Sequence, residues 1–197
     1  MAGGRLAAGK KSAARLGAHL VFVDETGFQL IPTVRRTWAP RAQTPVLRHS
    51  YRHDRLLVIS GLTVSPRRQR LGPVYGIHPQ NINGSRAGAF LRQLLRHFRG
   101  PLVVIWDNLN THRGREVRAL CQRFPRLHLE YLPPYAPDLN PDEGIWHHAK
   151  RDLANHASVD VLDLWGEVIV NLERTRRSPA RLRGCFRQAQ LPLMLPK

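Results

Sequence analysis

Two short, nearly continuous apolar runs each end on an aspartate: Leu20–Val23 runs into Asp24, and Pro101–Trp106 runs into Asp107. Runs of this length, bounded by turn residues, read as buried strands. Strands apolar on both faces belong to the covered part of an α/β sheet, and ligands of open α/β sheets collect outside the carboxyl ends of such strands. A carboxylate at that lip is costly beside a core unless something positive, such as a metal ion, meets it. A third acid, Glu143, stands in the segment PDLNPDE. Three such acids form the pattern of a divalent-metal site that handles phosphates.

Charge narrows the partner. The chain has 31 Lys and Arg against 14 Asp and Glu, a formal net charge of +17. That imbalance favours a polyanion, because each phosphate neutralised releases a counterion. Arg35-Arg36, Arg67-Arg68-Gln69-Arg70 and Lys150-Arg151 are the candidate contacts with a phosphate backbone, carrying affinity rather than sequence choice. Only Cys121 and Cys185 are present, so no disulfide framework is implied. No apolar run approaches the ~18 residues of a spanning helix, so no membrane role is expected.

The order of elements is α/β without internal repeats. Residues 1–17 read as a basic flexible linker, 18–175 as one catalytic domain, and 176–197 as a basic tail. Strands are expected at Leu20–Val23, Leu56–Thr63, Gly72–His78, Pro101–Trp106 and Leu127–Leu132, with extended, proline-broken structure at Gly27–Pro32 and Arg36–Val46. From Ser85 the period becomes helical, with Phe90, Leu91, Leu94, Leu95 and Phe98 on one face and Gly100-Pro101 as the stop. Further helices are expected over Arg113–Arg123, over Asp142–Leu153, and across Val161–Leu172 with Ser158 as N-cap. Trp38 and Trp146 are expected as core or packing residues rather than base-stacking platforms.

Each acid also has a plainer reading. Asp24 or Glu25 can cap a turn, Asp107-Asn108 is good turn chemistry, and Glu143 suits the positive end of a helix. The combination points elsewhere. Mg²⁺ and Mn²⁺ prefer carboxylate oxygens and keep waters that substrate phosphates displace, and two such ions can clamp both oxygens of an in-line phosphoryl displacement. The chain has no complete phosphate-cradling GxxxxGK(S/T) loop, no GxSxG elbow and no HExxH helix to support another chemistry.

The segments VDETGF (Val23–Phe28), TWAPRAQTPV (Thr37–Val46), WDNLNTH (Trp106–His112) and LPPYAPDLNPDEGIW (Leu132–Trp146) resemble the catalytic domain of IS630-type transposases, within the IS630/Tc1/mariner group. The resemblance runs in order from about Leu20 to Leu153. It implies a ribonuclease-H-like mixed sheet flanked by helices, a catalytic Asp-Asp-Glu triad at Asp24, Asp107 and Glu143, and Mg²⁺ or Mn²⁺, two ions, held by those three. Thirty-five residues lie between Asp107 and Glu143, in keeping with the group's near-fixed spacing. Asp142 is the rival third ligand. Neighbouring helical residues point about 100° apart, so one of the two serves the site, and register with Trp146 in the family pattern favours Glu143. Glu25 and Asn108 either support the ligands or simply make the turns. His112 either orients a phosphate or an acid, or is an exposed helix-start residue. Asp138 and Asn140 are expected to organise the proline loop.

The resemblance implies a bacterial cytoplasmic, nucleoid-associated enzyme that cleaves DNA at transposon ends and joins the freed 3′-hydroxyl to target DNA, often at TA, as a homodimer on DNA. It also departs from the family in two places. Such proteins carry N-terminal helix-turn-helix modules, and here 23 residues precede Asp24. A separately encoded or frameshift-joined N-terminal segment is one expectation, and a truncated remnant another. Ala42 stands where the family segment often has Gly. Two rival functions remain: a nuclease of the same fold that joins nothing, and a silent DNA-binding remnant.

Overall fold

The computed structural model describes residues 12–49, 52–67, 70–79, 82–133 and 136–191. Five strands form one sheet: β1 (His19–Gln29), β2 (Arg55–Val64), β3 (Leu71–His78), β4 (Leu102–Trp106) and β5 (Leu127–Tyr131), in the order β3-β2-β1-β4-β5. β1, β2 and β3 are antiparallel neighbours, whereas β4 and β5 join in parallel. This is the mixed sheet expected of a ribonuclease-H-like fold.

Alternation along the strands sends two sets of side chains to opposite faces. Val21, Val23, Val104 and Trp106 face α1 (Gly84–His97) and α2 (Arg115–Arg123), meeting Phe90, Leu91, Leu94, Val117 and Leu120. Phe22, Ile105, Val58 and Leu62 face α3 (Glu143–Asp152), α4 (Val161–Arg176) and α5 (Pro179–Gln188), meeting Trp146, Val168, Leu172 and Phe186. Asn83 caps α1 by accepting from the Arg86 N–H at 3.1 Å.

β1 is longer than the apolar run suggests. Asp24 lies inside the strand, which continues to Gln29 against β2. Parallel pairing with β4 stops earlier, at Phe22 opposite Ile105. Asp24 is thus at the lip of the parallel part while still held by the antiparallel part. Extended structure over Arg36–Val46 is not a strand; the segment is irregular and exposed, and Trp38 is 99% exposed rather than in the core. Ala42 there has φ 65, the left-handed region that favours glycine, which fits the glycine common at that place in the resembling family. Ser158 does not cap α4. Asp160 does, accepting from the Asp163 N–H at 2.8 Å, while Ser158 Oγ donates to Glu167 at 2.8 Å.

Both ends of the chain depart from the expected division. Residues 12–16 are helical, with Ala13 buried against the core; residues 1–11 lie outside the described residues. The segment expected as a tail from 176 carries α5 instead, with Leu182, Cys185 and Phe186 buried. Gly144 is where this helix meets α3, since a Cβ at that position would lie 2.7 Å from Cys185 Sγ and 2.9 Å from its Cα. Phe186 stacks edge-on against Phe22, with ring centroids 5.7 Å apart. The Asp152 carboxylate at the end of α3 accepts from Arg181 Nη1 at 2.6 Å.

Phe186→Ala is therefore expected to cost about 3–5 kcal/mol of stability, the range for emptying a buried aromatic site. Chemical denaturation measures it, and a loss below about 0.5 kcal/mol, typical of surface changes, would return this segment to the status of a tail.

Candidate active site

Register explains why the first two acids meet. Phe22 and Ile105 are paired in parallel, so two residues further along each chain Asp24 and Asp107 come level and share a face. Glu143 is brought to that face by the start of α3, which packs over it. All three line one cavity of about 420 Å³, whose walls include Asn108, Leu109, Leu132, Pro137 and Asn140.

Each aspartate is held by a neutral or cationic donor. Trp146 Nε1 donates to Asp24 Oδ2 at 2.9 Å, and the indole is itself buried and edge-on to Phe28. Asp107 Oδ1 accepts from His112 Nδ1 and, at 3.4 Å, from the Leu109 N–H. His112 Nε2 lies 3.0 Å from Glu25 Oε1. Its ring is 1% exposed and stacked on Trp106 at 4.0 Å between centroids. Tyr131 Oη donates to the His112 carbonyl at 3.0 Å, and Arg113 covers the Tyr131 ring at 4.6 Å. The imidazole thus bridges an acid on each face of the sheet. Burial pulls its pKa down, but the hydrogen bonds and charges of Asp107 and Glu25 outweigh burial and raise it to about 9. At neutral pH it is an imidazolium donating from both nitrogens.

Asp24 shows the opposite balance. Burial first, then the charges of Glu143 and more weakly Asp107, raise its carboxyl to about 7, against smaller lowering by the Glu25 backbone and the Trp146 indole. Asp142 is different in kind. It has no exposed surface, and its Oδ2 accepts from Ser60 Oγ at 2.5 Å. Burial and the neighbouring Asp24 charge push its carboxyl well above the usual carboxylate range. It faces β2, while exposed Glu143 faces the cavity.

The remaining expected residues are scattered. Glu25 and His112 meet; Asn108 lines the cavity, with its Oδ1 buried and without a hydrogen-bond partner. Asn140 bonds the Asp142 N–H in the expected turn, and also reaches the Val23 carbonyl at 3.1 Å. Lys150 is exposed on α3, two turns beyond Glu143 on the same side. Arg151 is paired with Asp152 at 3.3 Å. Arg35 and Arg36 are exposed, the Arg35 backbone being fixed to Asn155 by bonds of 2.8 and 3.0 Å. Arg67 and Arg70 lie in the β2–β3 turn, at the end of the sheet where β1 begins and away from the acids. Arg68 lies outside the described residues. Ser60 was not singled out by sequence; its one signal is a hydroxyl inside the apolar run of β2.

Among the described residues no three His, Cys, Asp or Glu side chains converge tightly enough to cage an ion as they stand. The donor set nevertheless fits a hard cation. Three carboxylates share one cavity, and burial, with the Glu143 charge adding to it, raises the pKa of Asp24, a cost that a divalent ion would offset. Asp24 and Asp107 meanwhile bond to Trp146 and His112.

A family model described as the DDE superfamily endonuclease matches residues 19–164, most of the chain, and the chain belongs to that family. Among curated proteins nothing matches. Solved structures share the fold. The Mos1 strand-transfer complex is similar with a TM-score of 0.62 and 17% identity, over 94% of this chain and 57% of that one. The mariner Mos1 paired-end complex with Mg gives 0.61 and 18%, over 95% and 58%. The Mos1 transposase paired-end complex with left transposon end gives 0.55 and 18%, over 94% and 61%. The chain therefore spans about three-fifths of the length of the Mos1 chains it matches.

An acid whose folded pKa is raised contributes stability below its unfolded pKa of 3.8 that is lost as pH rises through about 7. Asp24 thus weakens the metal-free protein on the alkaline side, where a cation has most to offset. Saturating Mn²⁺ is expected to raise Tm clearly more above pH about 7 than near pH about 5. An equal shift at both pH values would separate Asp24 from cation binding.

Proposed function

We propose that this chain is the catalytic domain of a transposase, cutting DNA at transposon ends and transferring the freed strand by phosphoryl transfer. The observation that carries the reading is the convergence of Asp24, Asp107 and Glu143 on one cavity within a DDE-endonuclease fold. Asp24, Asp107 and Glu143 would hold Mg²⁺ or Mn²⁺, two ions in the reading that suits an in-line displacement. Bound there, the ions supply Lewis-acid activation of the attacking oxygen and neutralise charge on the phosphate. The structures of Mos1 paired-end complexes with Mg and with Mn support that choice.

The protein's own part is positioning, since phosphoryl transfer leaves little covalent work for side chains. Trp146 fixes one oxygen of Asp24. The His112 imidazolium fixes Asp107, and Glu25 keeps that imidazole doubly protonated. Leu109, Leu132 and Pro137 contribute apolar surface to the cavity lining. Lys150 and Arg151 on α3 and exposed Arg35 and Arg36 beyond β1 are the candidate phosphate contacts nearest in sequence to the site elements, and Arg67, Arg68 and Arg70 are further candidates. A net charge of +17 makes DNA the partner of choice. A homodimer on DNA, an N-terminal recognition segment and a TA target complete the reading. Among the described residues no helix is long and apolar enough to cross a membrane; the bacterial cytoplasm, at the nucleoid, is the proposed location.

Supercoiled-plasmid nicking in Mn²⁺ tests this directly. Asp107→Asn is expected to abolish nicking and to leave DNA binding, which falls steeply with salt, close to the wild type. A variant that still cuts would remove the carboxylate reading. Joining of pre-cut ends to target DNA separates a transposase from a nuclease that only hydrolyses.

A further inference from the structure

Three polar side chains outside the cavity-facing acids tie the start of α3 to the strands beneath it. Asn140 Nδ2 donates to the carbonyl of Val23, the residue before Asp24, at 3.1 Å. Its Oδ1 accepts from the Asp142 N–H at 3.2 Å. Asp142 Oδ2 accepts from Ser60 Oγ at 2.5 Å, and Ser60 is the β2 residue directly opposite Asp24. The circuit leaves β1 at Val23, passes through two buried side chains, and returns to the sheet beside Asp24. Glu143 is the next residue.

Nothing in the helix itself asks for an acid at 142. Asp142 occupies the N-cap position, yet its side chain caps no helical N–H; it reaches β2 instead. An apolar residue would fill the same buried space without the desolvation cost of a carboxyl whose other oxygen, Oδ1, has no hydrogen-bond partner. Backbone bonds of 2.9 to 3.2 Å from the Glu143, Gly144 and Ile145 N–H groups close the first turn of α3, which fixes its shape but not its place on the sheet. Packing alone leaves that turn some freedom to slide and rotate, and two hydrogen bonds to neighbouring strands remove it.

We propose that Asn140, Asp142 and Ser60 form a clasp that positions Glu143 relative to Asp24, with Asp142 a positioning residue and not a ligand. This rests on reading Glu143 as a metal ligand. Supports behind metal ligands commonly change metal affinity 10–100-fold when removed, and a clasp one residue from Glu143 belongs to that class. The Trp146–Asp24 bond is a second, separate tie one turn further along α3.

The test compares wild type with Asp142→Ala, Asp142→Asn, Ser60→Ala and Glu143→Gln, measuring Mn²⁺ affinity by calorimetry, metal-free Tm, and kcat and KM for plasmid nicking. Asp142→Ala is expected to weaken Mn²⁺ binding at least about 10-fold and to lower kcat with little change in the KM for DNA. Ser60→Ala, which removes only a hydroxyl, shifts affinity the same way even if Asp142→Ala folds poorly. Asp142→Asn keeps an acceptor for Ser60 and restores both quantities. Loss in Asp142→Asn equal to that in Asp142→Ala would overturn the clasp in favour of a charged role. Lower Tm with unchanged Mn²⁺ affinity in Asp142→Ala and Ser60→Ala would overturn it in favour of fold support alone. Unchanged Mn²⁺ affinity in Glu143→Gln would instead withdraw Glu143 as a ligand, a failure of the underlying reading visible apart from the other variants.

Discussion

Negative charge gathered beside an apolar sheet is the constraint around which this molecule is arranged. Asp24, Asp107, Glu143, Glu25 and Asp142 all lie at one end of a sheet whose strands carry Val, Ile, Phe and Trp. Each needs a counter-charge, a proton or a strong donor there. The structure uses all three remedies. His112 is kept cationic between Asp107 and Glu25, Trp146 donates to Asp24, and burial favours the proton on Asp142. What stays open is the side of Asp24, Asp107 and Glu143 that faces the cavity. A site assembled this way leaves negative charge facing the cavity, which a divalent cation would offset in the proposed enzyme.

The same constraint explains why β1 must be longer than its apolar core. If the strand ended at Asp24, the carboxylate would sit on a mobile end and could swing into solvent. Antiparallel pairing with β2 continues from Asp24–Ser60 to Gln29–Arg55, which locks the backbone on both sides of the acid. β4 stops at Trp106 and lets Asp107 turn out through its bond with the Leu109 N–H. One aspartate is fixed by a sheet and the other by a histidine, and they come level because the parallel register puts Phe22 beside Ile105.

Much of this was legible in the residues, for identifiable reasons. β1, β4 and α1 follow most directly from short apolar runs bounded by turn residues and from a clean helical period. Asp24, Asp107 and Glu143 stood out because acids are scarce in so basic a chain. Three things were hidden. α5 was read as tail because Arg181, Arg183 and Arg187 alternate with Leu182, Cys185 and Phe186, so basic composition masked an apolar face. Trp38 reads as a packing residue in the sequence, which holds no sign that residues 36–46 are exposed. Ser60, in the middle of β2, gave no hint of its partner, since a strand's polar residue names neither the face nor the segment it meets.

Polar bonds at this site do something that apolar packing cannot. Contacts between α3 and the sheet, through Ile145, Trp146 and Ala149, hold the helix against its neighbours, but dispersion has shallow directional preference and tolerates small slides and rotations. Metal chemistry tolerates much less, because ligand placement must hold to within about 0.5 Å. Hydrogen bonds weaken steeply away from linearity, so Trp146 to Asp24 and Ser60 to Asp142 restrict the rotation of α3 about its axis. Gly144 restricts it from the other side, since only a hydrogen there lets Cys185 approach so closely. The helix that presents Glu143 is thereby set by polar bonds toward the sheet and by a steric contact toward α5, and its apolar face supplies the stability that lets both operate.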